Sequence, residues 1–373
     1  MFSHQSKLVA LAAVLIGTSL ASAQDSKALM DVLIQKGILS NDEAKAIQAE
    51  ATKSASAVST VISAKMYVDV STIDAKTDAG TKVDPSGVGL DLKRFYLGVT
   101  HQFDKVWSMN LTTDVGYSSA TGAVNPFIKT AFVQAKLSPA AIVQVGSAGQ
   151  PWIPFAEDNY GFRYVENTLT DRLKLGNSAD WGVHFLGNSG MVSYNFAAIN
   201  GGGYKNPTRS KGMDFEGRVS VEPVKGLVFA LGGYNGDLGK DANLAPAKQT
   251  ASRLDFMVNY NVANFRVGGE YFTEDNWGAT TSATSDSGDG YSIWGQYKVD
   301  KTWSVFARYD KSKTSKDVHP NFQDTYFNVG VQCAVIKGVD VSLVWKNDNI
   351  DHPTSASMVT SYDELGLFAQ VAF

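Results

Sequence analysis

The chain has one cysteine in 373 residues, Cys333, so no internal disulfide can brace it. Neither charge sign dominates: 33 Lys and Arg stand against 37 Asp and Glu, for a formal net charge of −4. That balance gives no electrostatic case for nucleic acid or an acidic partner. His101, His184, His319 and His352 are scattered without metal-ligand spacing, and no Gly-x-Ser-x-Gly or Ser/His/Asp grouping is present. The run DSGDG at 286–290 is only loosely similar to a calcium loop, and its Asp and Gly read as turn formers. No enzyme chemistry, metal or cofactor is expected.

A membrane-spanning helix is missing from the start of the chain. Residues 8–20 are apolar, but 13 residues fall short of the roughly 20 that cross a bilayer. Preceded by Lys7 and followed by Ala21-Ser22-Ala23, they form a secretory signal peptide, 1–23, cleaved after Ala23. No Cys follows to carry a lipid anchor. Mean hydropathy is that of a water-soluble protein, which a transmembrane barrel shares because half of each strand faces water.

What is present is alternation. Tight joints (FDKVW at 103–107, SPAA at 138–141, GNSG at 187–190, EPVKG at 222–226, NVAN at 261–264, VDKTW at 299–303, IKGV at 336–339) take turns with polar loops of roughly 9 to 30 residues. Short turns on one side and long loops on the other are the mark of a barrel threaded through one membrane. Sixteen dyad-patterned segments follow: 64–73, 90–101, 106–117, 127–137, 141–147, 179–186, 190–199, 213–222, 226–235, 252–261, 264–273, 290–299, 302–311, 323–336, 338–347 and 362–373. In the third, Trp107, Met109, Leu111, Val115 and Tyr117 face one way and Ser108, Asn110, Thr112 and Asp114 the other. The even count puts both barrel ends on the turn side. A barrel of this strand number leaves an aqueous channel; a plugged one of about 22 strands needs a longer chain. The last segment, ELGLFAQVAF, aligns Leu365, Leu367, Ala369, Val371 and Phe373 on one face, a lipid-facing row that closes the barrel. Its terminal aromatic resembles the signal read by barrel-assembly machinery. Trp107, Tyr117, Tyr234, Tyr260, Tyr271, Trp303, Tyr309 and Trp345 cluster near strand ends, as interfacial girdles do. Cys333 shares a face with Phe327, Val329 and Val331 and reads as an apolar wall residue.

Residues 24–62 divide into a helical hairpin and a linker before the barrel at 63–373. A helix over 28–36 ends at Gly37; a second begins at Ser40, with Glu43 completing a capping box. A periplasmic module, even a short coiled coil, and a hairpin without chemistry both fit that pattern.

The pre-barrel ALMDVLIQKGILSNDEAKAIQAE, the second strand KRFYLGVTHQF and VQVGSAGQPWIPFAEDNYGFRYVENTLTDRL together resemble the phosphate-selective porin O/P family. VSYNFAAINGGG, VGGEYF, FARYD and the terminal FAQVAF add to the likeness, in the expected order. The resemblance implies a sixteen-stranded homotrimeric channel in a Gram-negative outer membrane, amid lipid and lipopolysaccharide, with its third long loop folded inward. It also implies transport of small hydrophilic solutes or anions, with phosphate preference.

Independently, the joint at about 148–178 is the longest and carries Pro151, Trp152, Pro154, Phe155, Tyr160, Phe162, Tyr164 and Leu169, enough to pack. It folds inward or lies over the barrel as a lid. Its Arg163, Arg172 and Lys174 oppose Glu157, Asp158, Glu166 and Asp171, so it is no basic trap.

With the apolar rows facing lipid, Arg94, Arg218, Arg253, Arg266 and Arg308 face the lumen, with Asp114, Asp214, Glu216, Asp255, Glu270 and Asp310. Together with loop residues Arg163 and Arg172 these are the candidate pore-lining groups. Same-face pairs are expected at Glu216/Arg218, Arg253/Asp255, Arg266/Glu270 and Arg308/Asp310. They either brace the wall or, where an Arg stands nearer the axis, attract anions. Interleaved carboxylates limit the preference to a mild one. A structural or adhesive barrel and an outer-membrane hydrolase are the alternatives to a channel.

Overall fold

The structure, a computed structural model of the chain, describes residues 31–36, 38–45, 58–118 and 123–373. The signal peptide, Gly37 and most of the linker lie outside the described residues. Two compact units result, one of residues 61–100 with 108–373 and one of residues up to 60 with 101–107.

Sixteen strands form a closed barrel in which each is bonded to its sequence neighbours and the last to the first. They are β1 (Ser59–Thr77), β2 (Gly87–Gln102), β3 (Trp107–Ser118), β4 (Ala123–Ser138), β5 (Ala141–Gly149) and β6 (Ala179–Ser189). Next come β7 (Val192–Ile199), β8 (Asp214–Val224), β9 (Leu227–Gly236), β10 (Ala251–Val262) and β11 (Phe265–Asp275). The series ends with β12 (Ser287–Lys298), β13 (Trp303–Lys313), β14 (Gln323–Ile336), β15 (Val339–Asp351) and β16 (Val359–Ala372). Closure is antiparallel, with Val70 opposite Leu367 and Met66 opposite Val371.

The dyad pattern sorts the side chains as the sequence implies. Leu254, Phe256, Ile293, Val305, Leu343 and Leu367 are exposed on the outside, while Arg253, Asp255, Ser292, Arg308 and Ser342 are buried inside. Cys333 belongs to the outer row, paired with Trp303 and Val341. An outer wall this apolar is unfavourable in water, at about 25 cal/mol per Å² of exposed apolar area. Several strands are longer than the hydrophobic alternation suggests. β1 begins at Ser59, within the stretch assigned to the linker, where the adjacent Val61 and Ile62 are both exposed and give no inward–outward alternation to read.

The DKVW and DKTW joints are one turn used twice. Asp104 accepts hydrogen bonds from the backbone N–H groups of Val106 and Trp107, both at 2.7 Å. Asp300 does the same for Thr302 and Trp303, at 2.7 and 2.8 Å. In the smaller unit, residues 31–35 and 41–45 are helical. The capping box forms: the Ser40 N–H donates to Glu43 Oε2 at 2.9 Å and the Glu43 N–H donates to Ser40 Oγ at 3.3 Å.

Candidate functional site: an inward loop and the wall it leaves open

The connection between β5 and β6, residues 150–178, folds into the barrel. It contains the helices Ile153–Tyr160, with Pro154 in its first turn, and Leu169–Arg172. Gly161, at φ +80°, ends the first helix in the left-handed conformation. Trp152, Ile153, Tyr160, Phe162, Tyr164 and Val165 are buried against inward residues of β9 to β16: Ala230, Met257, Trp294, Phe306, Val344 and Phe368. Phe162 stacks on Phe306 with ring centroids 3.9 Å apart, and Tyr160 meets Trp294 edge-on at 5.9 Å. The Tyr164 hydroxyl lies 2.6 Å from that of Ser342. Each such side chain contributes about 1.5–3 kcal/mol of burial. The loop therefore stays in the lumen and is not a lid.

Buried loop backbone needs partners, and wall cations supply them. Arg218 donates to the Pro151 carbonyl at 3.1 Å, Arg266 to Tyr160 at 2.9 Å, Lys93 to Val165 at 2.9 Å and Arg308 to Asn167 at 2.5 Å. Glu270 accepts from the Leu169 N–H at 2.9 Å. Loop charges are held in the same way. Arg172 bridges Asp310 (3.2 Å), Asp324 (2.6 Å) and Asp348 (3.1 Å). Burial alone would weaken its hold on the proton, but those carboxylates, Asp324 foremost, raise its pKa instead. Glu166 lies 3.3 Å from Lys346, which also holds Glu364 at 3.0 Å. Burial favours the neutral acid, yet Lys346 and then Lys93 keep the Glu166 carboxyl well below the usual carboxylate range.

Two of the four expected same-face pairs form: Arg253 with Asp255 at 2.9 Å and Arg308 with Asp310 at 2.5 Å. Glu216 instead turns across the sheet to Arg253, at 2.9 Å. Arg218 bonds Ser220 (2.7 Å) and Ser193 (3.2 Å) and lies 4.0 Å from the centre of the Phe155 ring. Among the described residues Arg266 has no carboxylate partner; its guanidinium and Glu270 both serve the loop backbone. Glu216, Arg218 and Arg266 thus take a cross-strand neighbour or a loop carbonyl, while Arg253 and Arg308 keep the acid two places along their own strand. Asp214 accepts from the Tyr234 hydroxyl and from the N–H groups of Asp237 and Leu238. Arg163 joins Glu157 (2.5 Å) and Asp171 (3.3 Å) within the loop.

The other side of the barrel is not covered in this way. Arg94, Tyr96, Asn110, Thr112, Gln134 and Gln144 are only half-buried, whereas inward residues of β8 to β16 are mostly buried. Arg94 keeps 24% of its side chain exposed while reaching Asp114 at 3.4 Å. Asp114 is fully buried and also takes the Phe95 and Val115 N–H groups. Gln144 bonds Gln134 at 2.8 Å and Thr130 bonds Asn110 at 2.7 Å, so this wall is polar and self-satisfied. Lys129 and Lys205 join no carboxylate among the described residues; Lys129 Nζ lies 3.2 Å from the Tyr96 hydroxyl. Across from this wall the loop presents Glu157 and Asp171, each 16% exposed, within electrostatic reach of Lys129 and Arg94. Below the loop a cavity of about 690 Å³ opens at the turn end, bounded by Phe162, Arg266, Gln296, Gln332, Asp340 and Gln370.

Sequence reasoning passed over Lys129, Lys205 and Tyr96, and named Glu157 only among the loop's opposing charges. One sign was readable: the strand that carries Lys129, AVNPFIKTAFVQAKLS, contains no acid.

A closed sixteen-stranded barrel, a loop packed within it and one uncovered polar wall fix the architecture. The fold is the porin fold. The chain is similar to the outer-membrane channel DcaP of Acinetobacter baumannii at 10% identity, with a TM-score of 0.64 over 85% of this chain and 98% of that one. An anion-selective porin from Comamonas acidovorans matches at 12% identity and a TM-score of 0.60, over 85% of this chain and 100% of that one. A trimer form of OmpT, an outer-membrane protein of Vibrio cholerae, matches at 12% identity and a TM-score of 0.56, with the same coverage. No protein-family model and no curated protein matches the chain.

Proposed function

We propose that the protein is an outer-membrane porin, a passive channel for small hydrophilic solutes and ions. One observation carries this reading: the loop packs against β8 to β16 and leaves the polar wall of β2 to β5 only half-buried. A solute path runs between that wall and the loop face bearing Glu157, Arg163 and Asp171. The apolar outer wall suits hydrocarbon, and the signal peptide supplies the export route.

The path is mildly anion-preferring. Arg94, Lys129, Lys205 and Arg163 stand against Asp114, Glu157 and Asp171, an excess of one positive charge among these groups. In a low-dielectric constriction even a small imbalance biases ion entry. Arg253 and Arg308 act differently: both are buried and paired with wall carboxylates, and Arg308 also holds the loop through the Asn167 carbonyl. Phosphate specificity is not part of the proposal, because among the described residues no cluster of unpaired cations surrounds one point. A homotrimer is part of it, since the Vibrio cholerae barrel of the same fold occurs in a trimer form. Ion conductance of purified protein in a planar bilayer tests the channel, and native mass in mild detergent tests the trimer.

A further inference from the structure

The uncovered wall carries an arrangement that a plain aqueous path does not need. Lys129 Nζ sits 4.4 Å from the centre of the Tyr96 ring, and Lys205 Nζ sits 4.3 Å from that of Phe127. Phe127 stacks with Tyr204, centroids 5.9 Å apart and planes 30° from parallel. The Phe127 ring is seated over Gly116, where a Cβ would come within 3.1 Å of it. None of the rings belongs to the hydrophobic cluster beneath the loop except Tyr96, which packs against its edge. Two ammonium groups without carboxylate partners among the described residues thus lie against aromatic faces that remain half-buried.

We infer that this wall holds a subsite for planar aromatic carboxylates, a conclusion that rests on the channel reading and names its preferred solute. An ammonium over a ring is already partly desolvated and has donors left for a carboxylate. A flat ring attached to that carboxylate extends the Phe127–Tyr204 stack. A compact anion such as phosphate gains the charge and hydrogen bonds of the ammonium groups but has no flat face to lay against the rings. Arg94 forms the next cationic position along the wall and lies within electrostatic reach of both lysines.

The test compares sodium benzoate with sodium cyclohexanecarboxylate, which has the same charge and ring size but is not planar. Near 0.1 M salt, where the screening length is about 10 Å, benzoate is expected to reduce the bilayer current at concentrations about tenfold lower. Phe127→Leu should abolish the difference between the two anions. Lys129→Met with Lys205→Met should weaken the block by both, and Lys316→Met, in the loop between β13 and β14, is the control that changes neither. Equal block by the two anions, or a preference that survives Phe127→Leu, overturns the subsite. A silent bilayer would count against the channel reading alone. The subsite is then read by saturation-transfer NMR of benzoate with detergent-solubilised protein, where no benzoate-over-cyclohexanecarboxylate preference overturns it.

Discussion

Arg172, in the second loop helix, lies 2.6 Å from Asp324 at the start of β14. The same guanidinium reaches β13 through Asp310 and β15 through Asp348, so one loop side chain is shared by three strands. Its position explains why a 29-residue loop (150–178) stays inside the barrel rather than over its mouth.

Arg172→Met should therefore do more than remove a charge. It leaves Asp324 and Asp348 without their cation and Asp310 with Arg308 alone, and breaking a largely buried ion-pair network costs on the order of 3–5 kcal/mol. The expected result is a lower thermal midpoint in detergent together with a larger and noisier single-channel conductance. Unchanged conductance and heat resistance would show that the aromatic packing alone holds the loop.

Gly161→Ala tests the other end of the first loop helix. Its φ of +80° disfavours any side chain, and a Cβ would run into the Arg266 guanidinium that donates to the Tyr160 carbonyl. Destabilisation of roughly 1–3 kcal/mol is expected, read as a lowered melting midpoint of the purified barrel. Arg266→Gln should remove much of the added penalty in the double variant.

Selectivity should follow exposure rather than the number of arginines. Replacing Lys129 and Lys205 with Met should move the reversal potential under a salt gradient toward cation preference. Arg253→Gln and Arg308→Gln, made singly, should lower stability while leaving the reversal potential nearly unchanged, because both guanidinium groups are buried and paired. Reversal potentials of the three proteins in one buffer decide the matter.

Acidification should strengthen anion preference. Burial raises the pKa of the loop carboxyl Asp171, and Glu157 adds to the rise while Arg163 opposes it. As pH falls from 7 toward about 4, Asp171 takes up its proton before an ordinary aspartate does. The loop face then loses a negative charge, so the reversal potential should move toward that of the anion. Asp171→Asn should remove most of this shift.

Strand number, order and the sidedness of the connections were legible because the dyad repeat and loop lengths are written directly in the chain. The inward loop was legible because Trp152, Tyr160, Phe162 and Tyr164 need a surface to pack on. What they pack on was harder to see. Met257, Trp294, Phe306 and Phe368 occupy inner-row positions that strand patterning alone assigns to a polar lumen. Pairing partners were also hidden. Arg218 and Arg266 have acids two or four places away on their own strands, yet both donate to loop carbonyls that no strand pattern reveals. The cations that remain partly open, Lys129 and Lys205, stand out only once register and loop position are known.

The most direct test of the account is single-channel recording of the purified protein in a planar bilayer under a potassium chloride gradient. The account predicts stepwise openings, with a reversal potential displaced modestly toward the chloride equilibrium value. A bilayer that stays silent at every voltage would contradict the channel, and a strong cation preference would contradict the placement of its charges.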